Sequence, residues 1–111
     1  MKTLFKQMID GEVPCDQVFE NDNILAIKDK YPEAPVHILI IPKKEFKDLQ
    51  SVPEEELSII GEVVAVAQKL AKEFKIESGY RLITNVGPSA GQSIFHLHFH
   101  LIGGHSLGKI G

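Results

Sequence analysis

The sequence lacks the residues that mark several large classes of protein. Its 111 residues include one cysteine and no tryptophan. Because Cys15 is the single cysteine, no intrachain disulfide can form, and a cytoplasmic location is expected. Lysine and arginine number 12 against 15 acidic residues, which gives a formal net charge of −3. The charge therefore provides no reason to expect nucleic acid or an anionic membrane as a partner.

Long apolar runs and familiar phosphate-binding motifs are missing as well. Lys6, Gln7 and Asp10 interrupt the apolar residues of the N-terminal segment, so neither a signal peptide nor a membrane span is expected. The sequence contains no G-x-x-x-x-G-K-[ST] and no G-x-G-x-x-G. The common nucleotide-binding loops are therefore not indicated.

The apolar pattern predicts one α+β domain over residues 1–111, with an antiparallel sheet and two helices set apart from it. Strands are predicted at Val18–Phe19, Ile24–Ile27, Val36–Pro42, Tyr80–Asn85 and Ile94–Ile102. The segment Tyr31–Pro35 carries two prolines and is predicted to be a loop.

The two helices are predicted from apolar residues spaced three and four apart. The first covers Leu4–Ile9, with Thr3 as its cap. The second covers Pro53–Phe74 and opens with a capping box formed by Ser51 and Glu54. The stripe of the long helix expected to face the core consists of Leu57, Ile60, Val64, Ala67, Ala71 and Phe74.

Three of the five histidines lie within five residues, at His96, His98 and His100. Because side chains alternate along a strand, these imidazoles should share one face. Leu97, Phe99 and Leu101 should then face the core. A solvated polar face would use lysine, glutamate, threonine and serine, so the histidines indicate chemistry.

Metal binding is one possible role for these histidines, since imidazole is the commonest side-chain metal ligand. In a strand, however, the backbones of His96 and His100 would lie ~13 Å apart, so all three rings could not reach one ion without strain. No Cys, Asp or Glu lies near the strand to act as an additional ligand. A zinc site could still combine two of these histidines with His37.

Nucleophilic catalysis is the other possible role. A neutral imidazole is a nucleophile at physiological pH, and a neighbouring carbonyl group could fix the tautomer of the central ring. The flanking rings could then donate hydrogen bonds to an anion. The preceding segment Ala90–Ser93 offers backbone N–H groups, an amide and a hydroxyl that could hold a phosphate.

The segment His96–Ile102 matches the pattern H-φ-H-φ-H-φ-φ, where φ is apolar, and so resembles the signature of the histidine triad superfamily. "IPKK" (Ile41–Lys44), "GYRLITNVG" (Gly79–Gly87), "AGQS" (Ala90–Ser93) and "GEVPCDQVFENDNILAIKD" (Gly11–Asp29) resemble the Hint branch of that superfamily. The resemblance implies a five-stranded antiparallel sheet with one long and one short helix. It also implies a homodimer in which two sheets join into ten strands.

The resemblance further implies a purine nucleoside phosphoramidase that acts on derivatives of AMP or GMP without a cofactor or a metal. His98 would attack the α-phosphorus and form a nucleotidyl-histidine, which water would then hydrolyse. His100 would contact the phosphate, His96 would help to hold the central ring, and His37 would complete the histidine cluster.

Six further residues are implied by the resemblance to contact the nucleotide or the leaving group. Asp29, with Lys30 beside it, would bind the ribose hydroxyls. The remaining four, placed around the phosphate with Ser93 also near the leaving group, are Asn85, Gly91, Gln92 and Ser93.

Two alternatives remain open from the sequence. A dinucleoside polyphosphate hydrolase is the first, although that branch typically has Gln where this chain has Ile94. A nucleotide-binding regulatory module with little turnover is the second, because it would need the same pocket.

Overall fold

A five-stranded antiparallel sheet forms the centre of the fold, as the sequence predicts. The computed structural model describes residues 1–110, and the strands within them lie in the order β1-β2-β3-β5-β4. Every neighbouring pair is antiparallel. The strands are β1 (Gln17–Glu20), β2 (Ile24–Lys28), β3 (Val36–Pro42), β4 (Tyr80–Ile83) and β5 (Phe99–Gly103).

The two faces of the sheet are covered by different helices. On one face, Ile38, Ile40 and Leu101 pack against the long helix α2 (Ser58–Glu73). On the other face, Leu39 and Ile41 pack against Phe5 of the short helix α1 (Leu4–Ile9). The sheet therefore separates two apolar clusters, and the larger one lies on the α2 side.

The short helix α1 has the bounds and the cap that the sequence predicts. The Thr3 hydroxyl accepts a hydrogen bond from the backbone N–H of Lys6 at 3.1 Å. Gly11 has φ +75°, a conformation that glycine adopts at low cost after a helix end. Phe5 is the buried residue of this helix, so one aromatic ring anchors α1 to the sheet.

The prediction of the long helix is wrong at its start, because α2 begins at Ser58 and not at Pro53. Ser51 does not form the capping box, since its backbone N–H and its hydroxyl both donate to Asp48 Oδ1, at 2.9 and 2.8 Å. The acidic residues Glu54–Glu56 form a separate 3-10 turn. Residues predicted as the first turn of the helix therefore form a separate turn that precedes α2.

The predicted buried stripe of α2 is also partly wrong. Leu57 and Val64 are 44% and 40% exposed. The stripe that faces the core is shifted, and it consists of Val63, Val66, Ala67, Leu70 and Ala71. The helix therefore has a buried apolar face and a second apolar strip in contact with solvent.

The last two strands are shorter than predicted. β4 ends at Ile83, and β5 begins at Phe99 instead of Ile94. The chain before Phe99 is held by other bonds, since Leu97 N–H donates to the carbonyl of Phe46 at 2.7 Å. His96 and His98 consequently lie on an extended segment that leads into β5.

The segment Tyr31–Pro35 belongs to no helix or strand, which confirms the predicted loop. Among residues 1–110, no helix is both long enough and apolar enough to cross a membrane.

Candidate active site

The three clustered histidines lie on the sheet face opposite α2. Leu97, Phe99 and Leu101 belong to the core on the α2 side, so the predicted alternation is confirmed although only Phe99 onwards is regular strand. The centroid of the His98 ring lies 4.8 Å from that of Phe5 and 5.2 Å from that of His100. The histidines therefore form one continuous group beside α1.

The ring of His98 is held in a single tautomer. His98 Nδ1 lies 2.8 Å from the carbonyl oxygen of His96. Because a carbonyl oxygen only accepts, Nδ1 must carry the proton and donate it to this bond. The lone pair of the neutral ring is then at Nε2, as a nucleophile requires.

Two further contacts fix the nucleophile candidate in place. The Thr84 hydroxyl donates to the backbone carbonyl of His98 at 2.7 Å, which ties His98 to the end of β4. The Phe5 ring packs against the imidazole in an edge-on arrangement. Burial is the main cause that lowers the pKa of His98, so its neutral form is favoured.

His96 acts on the site through its backbone, because its side chain is directed into the protein. The ring is 1% exposed, and its Nε2–H donates to the carbonyl oxygen of Pro42 at 2.7 Å. Burial lowers the pKa of this ring too. The expected role of holding the central ring is thus supplied by the His96 carbonyl group, with the side chain anchoring that carbonyl.

His37 and His100 form a second pair, whose tautomers are fixed by a backbone N–H and not by a carbonyl group. The backbone N–H of Glu33 donates to His37 Nδ1 at 3.0 Å. His37 Nδ1 is therefore unprotonated, and the neutral ring carries its proton at Nε2. His37 Nε2 lies 2.9 Å from His100 Nδ1, to which it donates.

This bond makes His100 a hydrogen-bond donor at its outer nitrogen. Since His100 Nδ1 accepts from His37, the proton of the neutral His100 ring is at Nε2. Burial is the largest cause that lowers the pKa of His100 to about 4, with the charges of His98 and His37 adding to it. At neutral pH, His100 therefore presents an N–H donor next to the lone pair of His98.

Asp29 lies against this second pair. Its Oδ1 accepts from the backbone N–H of Tyr31 at 2.8 Å, and its Oδ2 lies 3.4 Å from His37 Nε2. The expectation that no acidic residue lies near the histidines is therefore wrong, because β3 brings His37 to a carboxylate distant from the triad in sequence. Asp29, His37 and His100 offer one ligand atom each within 4.8 Å of one another, which is a spacing that a metal ion could use.

The loop before the triad is built around two of its predicted residues. Gly91 has φ +94°, and a Cβ atom there would lie 4.0 Å from Asn85 Nδ2, so Asn85 and the loop are adjacent. Gln92 is buried, accepts from Gly87 N–H at 2.8 Å and donates to the carbonyls of Lys47 and Ile94. Gln92 therefore shapes the loop with a fully engaged amide.

The remaining two predicted residues are exposed. Ser93 directly follows buried Gln92 in the segment that leads to the triad. Lys30 extends over the ring of Tyr31, with its Nζ 5.8 Å from the ring centroid. The lysine therefore lies beside Asp29 in sequence without joining the bonds that hold the carboxylate.

Three contributions to the site were not predicted from the sequence. Phe5 lies 91 residues before His96 in the sequence, and its only signal was an apolar helical pattern. Thr84 was predicted as a strand residue, but its hydroxyl holds the backbone of His98. The Glu33 contribution is a backbone N–H, which side-chain identity cannot reveal.

The sequence matches a known protein family over most of its length. The model of the HIT domain matches residues 10–107. A HIT-like protein from Chlamydia pneumoniae is 52% identical over 108 residues, covering 97% of this chain and 98% of the relative. A "14 kDa zinc-binding protein" from Zea mays is 41% identical over 107 residues, covering 95% of this chain and 84% of the relative.

Solved structures agree with the sequence relatives. A HIT family hydrolase from Clostridium thermocellum superimposes with a TM-score of 0.94 at 41% identity, covering 97% of this chain and 95% of its own. A hypothetical histidine triad nucleotide-binding protein from Sulfolobus tokodaii superimposes with a TM-score of 0.79 at 40% identity. That match covers 89% of this chain and 66% of the other.

Proposed function

The chain belongs to the HIT domain family, and from this premise we propose that it is a metal-independent hydrolase of purine nucleoside 5′-monophosphate derivatives. The bond cleaved is the P–N bond of a phosphoramidate or the related bond of an acyl phosphate. Two structural neighbours support this class of activity: the HIT family hydrolase from Clostridium thermocellum and the hypothetical histidine triad nucleotide-binding protein from Sulfolobus tokodaii.

One observation carries the proposal, namely that two adjacent imidazoles are held in opposite hydrogen-bonding states. His98 has its lone pair at Nε2, because its Nδ1–H donates to the His96 carbonyl. His100 has its proton at Nε2, because its Nδ1 accepts from His37. A nucleophile beside a donor is the minimum set for displacement at a phosphorus atom that carries negative oxygens.

The proposed reaction has two displacements. His98 Nε2 attacks the α-phosphorus, a new P–N bond forms, and the bond to the leaving amine breaks with its electron pair. The leaving amine takes up a proton from the solvent, and the proposed role of the Ser93 hydroxyl is to relay it. Water then attacks the phosphorus and releases a proton to the solvent, and the electron pair of the P–Nε2 bond returns to His98 as the nucleoside monophosphate leaves.

The hydrogen bond from His98 Nδ1 to the His96 carbonyl would stabilise the positive charge of the proposed intermediate. An imidazole that bonds phosphorus through Nε2 while it keeps Nδ1–H is cationic. The His96 carbonyl accepts from that N–H, and the bond becomes charge-assisted and stronger as the charge develops. His100 Nε2–H would stabilise the phosphate oxygens at the same time.

The ribose and phosphate contacts are proposed on the positions of the remaining predicted residues. Asp29 lies next to His37, so a ribose bound to its carboxylate would place the 5′-phosphate near His100. Asn85 and Gly91 are adjacent at the loop where the phosphate would lie. AMP and GMP derivatives are the proposed substrates, and the cytoplasm the proposed location.

Turnover by purified protein tests the function directly. Adenosine 5′-phosphoramidate should be hydrolysed to AMP and ammonia, and exhaustive EDTA treatment should leave the rate unchanged. A diadenosine polyphosphate assayed in parallel separates the alternative hydrolase. Binding of AMP without hydrolysis of either compound would indicate a regulatory module and contradict the proposal. Loss of activity in EDTA with recovery in zinc would contradict metal independence.

We also propose that two copies pair along β4, which joins their sheets into ten strands. β4 is an edge of the sheet, and its four residues are each only half-buried. The exposed side chains of Val64 on α2 and of Leu57 just before it provide a second apolar surface that a partner could cover. Light scattering at micromolar protein should give the mass of a dimer, and Val64→Asp should shift it toward the monomer. A monomeric mass for the unsubstituted chain would contradict this assembly.

A further inference from the structure

The proline-rich loop Tyr31–Pro35 directs two backbone N–H groups at acceptors in the site. Tyr31 N–H donates to Asp29 Oδ1, and Glu33 N–H donates to His37 Nδ1. The loop is backed by close packing, since a Cβ at Gly104 would approach Pro35 Cβ to 2.9 Å. The two N–H groups are therefore parts of a segment that is held in place.

The bond from Glu33 decides what His37 can do. A neutral imidazole has one proton, and an acceptor at Nδ1 requires that proton to be at Nε2. The Nε2 atom faces both His100 Nδ1, at 2.9 Å, and Asp29 Oδ2, at 3.4 Å. It can donate to these groups, but it has no lone pair to offer to a cation.

Without this bond, the same three side chains would suit a transition metal. Imidazole nitrogen and carboxylate oxygen are usual zinc ligands, and Asp29, His37 and His100 each offer one within 4.8 Å. A metal-bound His37 would carry its proton at Nδ1, where it would point at the Glu33 N–H instead of at an acceptor. Metal-bound histidines normally donate their second N–H to a carbonyl or a carboxylate, so the loop provides the opposite partner.

We propose that the Glu33 backbone N–H excludes divalent transition metals from the Asp29–His37–His100 cluster by fixing the tautomer of His37. The same bond sets His100 as a donor toward the substrate, a consequence that rests on the proposed function. The exclusion of metal does not depend on turnover, so the two can fail separately. Glu33 is thus a positioning residue that acts through its backbone.

The tautomer can be measured in the unsubstituted protein. Long-range proton–nitrogen NMR correlations distinguish a protonated ring nitrogen from an unprotonated one. We expect His37 with an unprotonated Nδ1 and a protonated Nε2, and His100 in the same state. A protonated Nδ1 on His37 would overturn the proposal whatever the activity of the protein.

Substitution of Glu33 tests the exclusion itself. Glu33→Pro removes the N–H, whereas Glu33→Ala keeps it and serves as the matched control. Co²⁺ is the probe, because its visible absorption reports bound nitrogen and oxygen ligands. Glu33→Pro should bind Co²⁺ at least about tenfold more tightly than the unsubstituted protein or Glu33→Ala, the scale on which partners of metal ligands act.

The site of Co²⁺ binding is checked by a second substitution. Asp29→Asn or His100→Ala in the Glu33→Pro background should remove the gain, whereas exposed His105→Ala should keep it. Equal affinity for Co²⁺ in Glu33→Pro and Glu33→Ala would overturn the proposal. So would tight binding by the unsubstituted protein that Asp29→Asn abolishes. If Glu33→Pro does not fold, the NMR tautomer and the Co²⁺ affinity of the unsubstituted protein decide the matter.

Discussion

The histidine cluster consists of two pairs whose order comes from opposite kinds of backbone group. In the first pair, His96 and His98 each donate a ring N–H to a carbonyl oxygen. In the second pair, His37 Nδ1 accepts from the Glu33 N–H, and His37 Nε2–H donates to His100 Nδ1. The difference teaches that the polarity of the backbone group behind an imidazole decides whether its outer nitrogen carries a lone pair or an N–H.

The surroundings of the two pairs also differ, because one is apolar and the other is acidic. His98 packs against the apolar ring of Phe5. His37 lies against the carboxylate of Asp29. The first environment suits a neutral ring with a free lone pair, and the second holds a chain of hydrogen bonds that runs from the Glu33 N–H through His37 to His100.

The largest effect is expected from the nucleophile. His98→Ala should lower turnover of adenosine 5′-phosphoramidate by at least about 10³-fold, because the covalent route is lost. The fold and AMP binding should remain, as thermal unfolding and calorimetric titration would show. His105→Ala, at an exposed histidine outside the cluster, is the control. A variant of His98 that keeps most activity in metal-free buffer would move the nucleophile elsewhere, with His100 the next candidate.

Removal of the donor should cost less than removal of the nucleophile. His100→Ala should lower kcat by about 10²- to 10³-fold, the usual loss when one donor to a developing anion is deleted. The nucleophile and its carbonyl partner remain in this variant. If His100→Ala lost as much activity as His98→Ala, the two pairs would not have distinct roles.

The ribose contact tests the acidic side of the second pair. If Asp29 binds the hydroxyls, dAMP should bind about tenfold or more weakly than AMP, since a hydrogen bond to a charged group contributes about 1.5–3 kcal/mol. Asp29→Asn should reduce the difference. Calorimetric titration gives both affinities, and equal values for AMP and dAMP would remove Asp29 from the ribose site.

The smallest effect concerns stability against pH. The pKa of His100 is lowered from 6.5 to about 4 in the folded protein, so the unfolded chain binds more protons in this interval. The free energy of unfolding should therefore fall as the pH falls from about 6.5 to about 4. Urea unfolding should show a shallower fall for His100→Gln and an unchanged one for His105→Gln. An unchanged slope in His100→Gln would contradict the burial of a neutral His100.

The sequence predicted those parts of the molecule that depend on local pattern. The alternation of apolar and histidine side chains placed the triad on one face, because two-residue periodicity survives outside regular strand. The predicted start of α2 was wrong because Asp48, three residues before Ser51, accepts from Ser51 and caps a short 3-10 turn there instead. The shifted core stripe was wrong because a helix with apolar residues on two faces does not reveal which one meets the sheet.

The site was predictable as a set of side chains but not as a network. His37 was expected to join the triad, and the pairing of β3 with β5 brings it there. The backbone partners that fix the tautomers, at His96 and Glu33, follow from loop geometry that no residue type encodes. The approach of Asp29 to His37 likewise depends on how the chain turns after β2.

The stereochemistry at phosphorus tests the central claim most directly, that a ring nitrogen of His98 takes the nucleotide before water does. An adenosine 5′-phosphorothioate amide chiral at phosphorus would be hydrolysed in isotopically labelled water, and the configuration of the product determined. Two in-line displacements invert twice, so retention of configuration is predicted. Inversion would show one direct attack by water and would contradict the covalent mechanism.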